Sequence, residues 1–122
     1  MARSPNPPLS DLQRTLAVTR LMMPELNIQS PPNLVSDDFP ELLAAGINDW
    51  GGISPVTHDF INPEAAWPQI AILKERTAGF GLELRARLAI YPEYAQRSDF
   101  VDSGVAQKMR QQLGNYFYAQ AH

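Results

Sequence analysis

The chain has 122 residues, 44 % hydrophobic and 19 % charged, and its 13 acidic and 10 basic side chains give a formal net charge of −3. That length suits one small core, and the apolar content is too high for a disordered polymer. Lys and Arg form no run, which argues against phosphate-driven nucleic-acid binding, and the lack of cysteine excludes disulfides, zinc-thiolate sites and iron–sulfur ligation by this chain.

Residues 1–8 carry three prolines and read as a flexible lead-in. They lack the apolar core of a signal peptide, and no run nears the roughly 20 apolar residues that span a bilayer, so a cytoplasmic protein without a membrane partner is expected.

A helix is expected from Leu9, capped by Ser10 or Asp11, with Leu12, Leu16 and Thr19 on one face and Pro24 as its stop. Met22 and Met23 read as packing residues. Leu26–Gln29 alternates as a strand and ends in the loop Ser30–Asn33. A short helix from about Asp37 to Ala45 closes at Gly46, and a second strand runs from Ile47 to Gly51.

Gly51 and Gly52 then remove two side chains before the stiff Ser54-Pro55 exit, a pattern that fits close approach of a ligand to backbone. Asn62 as cap, Pro63 at the first position and Glu64 in the first turn open the next helix. Its buried face should hold Ala66, Ile70, Leu73 and Thr77, and Gly79 should close it. A third strand is expected over Leu82–Ile90, with Leu82, Leu84, Ala86, Leu88 and Ile90 on one side and Glu83, Arg85, Arg87 and Ala89 on the other. A loop at Tyr91–Tyr94 follows. A last helix over Ser103–Leu113 should bury Val105, Met109 and Leu113, before a tail over 115–122 that includes the packing residues Tyr116–Tyr118.

Strands separated by helices demand parallel pairing with right-handed crossovers. The expected fold class is α/β, and the repeat length fits the roughly 31 residues per unit of an eight-unit barrel, that is, three consecutive βα units of a partial TIM-like barrel over residues 9–114, although periodicity alone does not choose it. A small three-layer α/β sheet fits the spacing almost as well. Polar residues on one strand face, Asn27, Gln29, Asp49 and Arg87 among them, fit a barrel whose lumen holds a polar ligand, against the alternative of a sheet with one solvated face. The loops at the carboxyl ends of the strands, 30–33, 52–57 and 91–94, would then wall the site.

Three segments carry a family resemblance: Asn27-Ile-Gln-Ser-Pro-Pro-Asn33; Asp49-Trp-Gly-Gly-Ile-Ser-Pro55 with Asn62-Pro-Glu64 and Trp67-Pro68; and Arg87-Leu-Ala-Ile-Tyr-Pro-Glu-Tyr94. From about Leu9 to Tyr94 they resemble the C-terminal part of the FO synthases (7,8-didemethyl-8-hydroxy-5-deazariboflavin synthases) of the radical S-adenosylmethionine (SAM) superfamily. The Ser54-Pro55-Val56-Thr57 continuation separates them from the other FO synthase subunit and the futalosine cyclases. The resemblance implies a lyase in which a [4Fe–4S] cluster and SAM generate a 5′-deoxyadenosyl radical. That radical acts on an adduct of a tyrosine-derived fragment and 5-amino-6-(D-ribitylamino)uracil, and ring closure with loss of ammonia yields FO, a deazaflavin coenzyme precursor.

The family holds its cluster through Cys-x3-Cys-x2-Cys in the N-terminal half, and this chain has no cysteine. The implied reading is a substrate-side fragment, inactive alone and binding no cofactor alone. Its partners would be a cluster-binding N-terminal half and a second FO synthase subunit. The competing readings are a non-catalytic α/β binding or oligomerisation module and a remnant of another radical SAM enzyme such as a futalosine cyclase.

Candidate substrate-binding residues follow from these segments. Gln29 and Asn33 offer amides for ribityl hydroxyls or uracil edges, against a role as plain loop amides. Asp49 offers an acceptor or base, against a strand-start cap. Gly51, Gly52 and Ser54 offer backbone. Arg87 suits an anionic or carbonyl oxygen, against an ion pair with Glu83 or Glu93, and Glu93 and Tyr94 are further candidates. His58 reads as a solvated loop histidine and His122 as a terminal one. No side chain stands out as catalytic and no metal ligands are expected.

Overall fold

The structure is a computed structural model that describes residues 7–54 and 70–112, the side chains at 34, 36 and 37 apart. The chain divides into two compact units, Met1–Leu84 and Arg85–His122.

The first unit opens with α1, Leu9–Met22. Its cap is Pro8, whose carbonyl accepts from the Asp11 and Leu12 amides at 3.0 and 3.4 Å, so Ser10 and Asp11 lie inside the first turn instead of capping it. The Asp11 carboxylate still suits the positive end of the helix dipole there. Met23 N–H donates to the Thr19 carbonyl, and Pro24, without an N–H, cannot continue the ladder. Leu16 is buried as its spacing predicts, whereas Met22 and Met23 are 75 % and 49 % exposed and do not pack as expected.

The expected helix from Asp37 to Ala45 is instead a 3-10 helix, Pro32–Asp38, followed by α2, Glu41–Ala44. Pro40 explains the break, because it has no N–H for an i→i−4 bond. Gly46 closes α2 with a positive φ of 109°, its N–H donating to the Leu43 carbonyl at 3.1 Å.

Strands β1, Gln29–Ser30, and β2, Asp49–Trp50, pair in parallel with Gln29 opposite Asp49 and Ser30 opposite Trp50. Both begin later than the alternation predicts. The reason lies just upstream, where side chains take the backbone groups that a longer ladder would use: Asn48 Oδ1 accepts from Ile28 N–H at 2.8 Å, and Arg20 Nη1 donates to the Leu26 carbonyl at 2.7 Å. Leu16, Ile28, Leu42, Ala45 and Ile47 form the core beneath the pair, with Leu9, Leu12, Val35, Leu43 and Trp50 packed around them. Fully burying a leucine such as Leu42 contributes about 1.5–3 kcal/mol.

Helix α3, Ile70–Gly79, buries Leu73 and Thr77 as expected, and the Thr77 hydroxyl donates to the Leu73 carbonyl at 2.7 Å. Ile70 is 45 % exposed, contrary to its expected burial. The helix includes Gly79, and the left-handed exit is Gly81, φ 72°. The expected cap at Asn62 and the positions Pro63, Glu64 and Ala66 lie outside the described residues.

The expected third strand over Leu82–Ile90 does not form: residues 82–88 adopt no regular structure. Alternation sets the faces of a strand, but a strand also needs a ladder partner for its backbone groups. Among the described residues the sheet has two strands, both parallel.

In the second unit, Tyr91–Tyr94 is not a loop. Pro92–Ala95 forms a short helix, α4, entered through Pro92, with the Tyr94 and Ala95 amides donating to the Tyr91 carbonyl at 3.0 Å. Helix α5, Ser103–Gln112, is capped by Asp102 Oδ1, which accepts from the Gly104 and Val105 amides at 2.9 and 3.3 Å. Val105 is 51 % exposed and no described residue of α5 is buried, so the expected buried face is absent there. Leu113 and the tail lie outside the described residues.

Candidate functional site

Polar side chains on β1 and β2 converge at the first pair of the ladder. Gln29 and Asp49 are directly opposite in the ladder, and Gln29 Nε2–H donates to Asp49 Oδ2 at 2.7 Å. The next ladder bond, Gly51 N–H to the Ser30 carbonyl at 3.2 Å, brings Gly51 alongside β1. There the Gln29 side chain fills the volume a residue-51 side chain would need: a Cβ at Gly51 would lie 2.6 Å from Gln29 Oε1 and 2.7 Å from Cγ, and closer still to Cδ. Gly52 follows in the left-handed region, φ 64°, with open space at its Cβ position. The glycine pair therefore has two reasons, a side chain pressed against Gly51 and a left-handed backbone at Gly52.

Ser30 and Asn33 are buried, at 8 % and 5 % exposure, Asn33 inside the 3-10 helix. Ser54 is half-buried. On β2, the Trp50 ring meets Phe39 edge-on, centroids 5.7 Å apart at 87°. Its indole Nε1 is buried with no hydrogen-bond partner among the described residues.

Arg87 and Glu93 belong to the second unit. The Arg87 guanidinium stacks over Tyr91 at 4.5 Å and Nη1 donates to the Leu88 carbonyl at 2.6 Å, while Glu93 is exposed on α4. Gln29, Asp49 and Gly51 thus come together, with Gly52 next in the chain. Pro55, Thr57 and His58 lie outside the described residues.

Two residues missing from the sequence-derived site hold this arrangement. Arg20 Nε donates to the Gly46 carbonyl at 2.9 Å, Nη1 to the Pro24 and Leu26 carbonyls at 2.6 and 2.7 Å, and Nη2 to Asn48 Oδ1 at 3.3 Å. Asn48 Nδ2 donates in turn to Asn27 Oδ1 at 2.7 Å. The available signal was a basic residue in the last turn of α1, where carbonyls lack helical partners.

A further open groove of about 450 Å³ is lined by Asp38, Pro40, Glu41, Glu75, Arg76, Gly79 and Phe80. Among the described residues no three His, Asp or Glu side chains gather as metal ligands, and the chain offers no thiolate. This donor set does not fit an iron–sulfur cluster.

The 7,8-didemethyl-8-hydroxy-5-deazariboflavin synthase of Methanopyrus kandleri is 52 % identical over 97 residues, which are 80 % of this chain. The chain is homologous to part of an FO synthase. The FO synthase of Streptomyces avermitilis is 49 % identical over 100 residues, 81 % of this chain, and the Methanothermobacter thermautotrophicus 7,8-didemethyl-8-hydroxy-5-deazariboflavin synthase is 36 % identical over 111 residues, 91 % of it. The matched segments span 29 %, 12 % and 34 % of those three FO synthase relatives. No family model and no solved structure matches the chain.

Proposed function

We propose that the chain forms the substrate-side wall of an FO synthase, with β1 and β2 as neighbouring strands of a partial TIM-like radical SAM barrel. Support comes from the names and identity of the relatives and from parallel strands joined through helices. Ligands in such architectures bind at the carboxyl ends of strands. The observation that carries the reading is the Gln29–Asp49 pair, one residue before the carboxyl ends of the strands and next to Gly51.

The chemistry of this pair is recognition. One Nε2–H of Gln29 is committed to Asp49, which fixes the carboxylate and turns the other Nε2–H into a directed donor. The Asp49 carboxylate is an acceptor whose chemistry suits a hydroxyl or a ring N–H. A donor beside an acceptor suits the ribityl hydroxyls or uracil edge of the tyrosine–5-amino-6-(D-ribitylamino)uracil adduct. Asn33, Gly52 and Ser54 complete the proposed set of substrate contacts within the first unit; Arg87 and Glu93 are candidate contacts of the second unit, taken by itself.

In a complete radical SAM lyase, a [4Fe–4S] cluster with SAM supplies the initiating radical. This chain's residues do not fit the cluster, so its own contribution is to bind and orient substrate. Its partner is a cysteine-bearing segment, in the same polypeptide or a separate one.

The test combines the chain with the cysteine-bearing part of the Methanopyrus kandleri relative, reconstituted anaerobically with iron, sulfide, SAM and both substrates. FO fluorescence is expected with the wild-type chain and is lost with Asp49→Ala. A loaded cluster that cleaves SAM but yields no FO with the wild-type chain would overturn the proposal in favour of a binding or oligomerisation module.

A further inference from the structure

A parallel ladder of only two residue pairs is too short to define its own register, and a slip of one residue would turn every side chain to the other face. Something outside the ladder must hold Gln29 opposite Asp49. We infer that Arg20, acting through Asn48, is a positioning residue that locks this register and so assembles the Gln29–Asp49 pair; in calling the pair a substrate site, the inference rests on the function proposed above.

The geometry is specific. Arg20 sits on α1, outside both strands, and its fork spends donors on the carbonyls of Pro24 and Leu26 before β1, the carbonyl of Gly46 before β2, and the side chain of Asn48. It therefore ties the lead-ins of both strands to one rigid plane. Asn48 converts that tie into a register: its Oδ1 accepts from Ile28 N–H, its backbone N–H donates to the Ile28 carbonyl at 3.1 Å, and its Nδ2 reaches Asn27. Ile28 is thus bonded on both its N–H and its C=O to one residue. Gln29 and Asp49 are the next residues along, and their pairing inherits the alignment.

The approach of Arg20 depends on a second feature. A Cβ at Gly46 would lie 2.9 Å from Arg20 Cβ and 3.0 Å from Cγ, so the helix reaches the turn only because residue 46 has no side chain. A lysine at position 20 keeps the charge and most of the length, but a single ammonium cannot span four acceptors around a planar fork.

The decisive comparison is Arg20→Lys against wild type in the full chain, read in two ways. By NMR, solvent exchange of the Gln29 side-chain amide and of the Gly51 backbone N–H should quicken at least about tenfold, while exchange within α3 stays unchanged. In the reconstituted synthase, KM for the uracil substrate should rise about tenfold with kcat within about twofold, as expected when a binding group is misplaced. Asn48→Ala should reproduce both effects, and it carries the test if Arg20→Lys does not fold. Wild-type exchange at Gln29 and Gly51 in a folded Arg20→Lys or Asn48→Ala chain would overturn the inference. Wild type that yields no FO would defeat the functional proposal while the exchange measurement still decides the role of Arg20.

Discussion

The carboxamide of Gln29 occupies the volume that a side chain at Gly51 would need, while its Nε2–H is held by Asp49. Gly51 is not among the glycines with positive φ, so alanine there is permitted by the backbone, and the nearest obstacle is the Gln29 side chain. Gly51→Ala should therefore cost about 1–3 kcal/mol, the range for inserting a methyl into filled space. The cost should fall to within about 0.5 kcal/mol when Gln29 is alanine, because the obstacle is then gone. Urea unfolding of the four chains in this double-mutant cycle measures the coupling, and a Gly51→Ala penalty that persists in the Gln29→Ala background would show the contact to be unimportant.

That relationship shows what the residues alone could and could not disclose. Closely packed backbone at Gly51 was legible, since paired glycines after a strand have few other uses; that the approaching group is this chain's own Gln29 was not, because it depends on ladder register. Leu16, Leu73 and Thr77 were buried where helical spacing placed them. The Leu82–Ile90 alternation misled because it specifies two faces without supplying a ladder partner, and α5 misled because its apolar spacing does not create a surface to pack on. Arg20 stayed hidden for a third reason: its four acceptors come from two chain segments, 24–26 and 46–48, that only the fold brings together.

Leu42 is the position where the core should be most sensitive. It is fully buried within the Leu16, Ile28, Ala45 and Ile47 cluster. Leu42→Ala should lower stability by about 2–5 kcal/mol through lost burial and the cavity left behind. Met22→Ala, at a residue 75 % exposed, should stay within about 0.5 kcal/mol. Equal denaturation midpoints for the two variants would contradict the core assignment.

In the second unit, hydrogen bonding from Arg97 holds the Asp99 carboxyl below its ordinary value of 3.8, with an ion-pair distance of 2.7 Å. A depressed carboxyl pKa gives a contribution to stability that is present above the unfolded value and lost as pH falls through the folded one. The Asp99 carboxyl signal, followed by NMR titration, should have its midpoint below 3.8, and Arg97→Gln should move it upward towards that value. An unchanged midpoint in Arg97→Gln would assign the shift to another cause. Because both side chains are solvent-exposed, salt should weaken the effect.

Gly46 and Gly52 both have positive φ, 109° and 64°, yet alanine should be tolerated unequally. At Gly52 the Cβ would enter open space, so Gly52→Ala should cost only the left-handed backbone penalty, about 1–2 kcal/mol. At Gly46 the same kind of penalty is joined by a collision with Arg20 Cβ and Cγ. Truncating Arg20 to alanine cannot relieve it, because the nearest atom is Arg20 Cβ itself, in contrast to the rescue expected for Gly51→Ala by Gln29→Ala. Gly46→Ala should therefore be the most destabilising of the three glycine changes in urea unfolding. It should also be the one that exposes the Ile28 and Gly51 amides to solvent exchange, since pushing Arg20 away releases the lead-ins of both strands. If Gly46→Ala matched Gly52→Ala in both measurements, Arg20 would not be pressed against that turn.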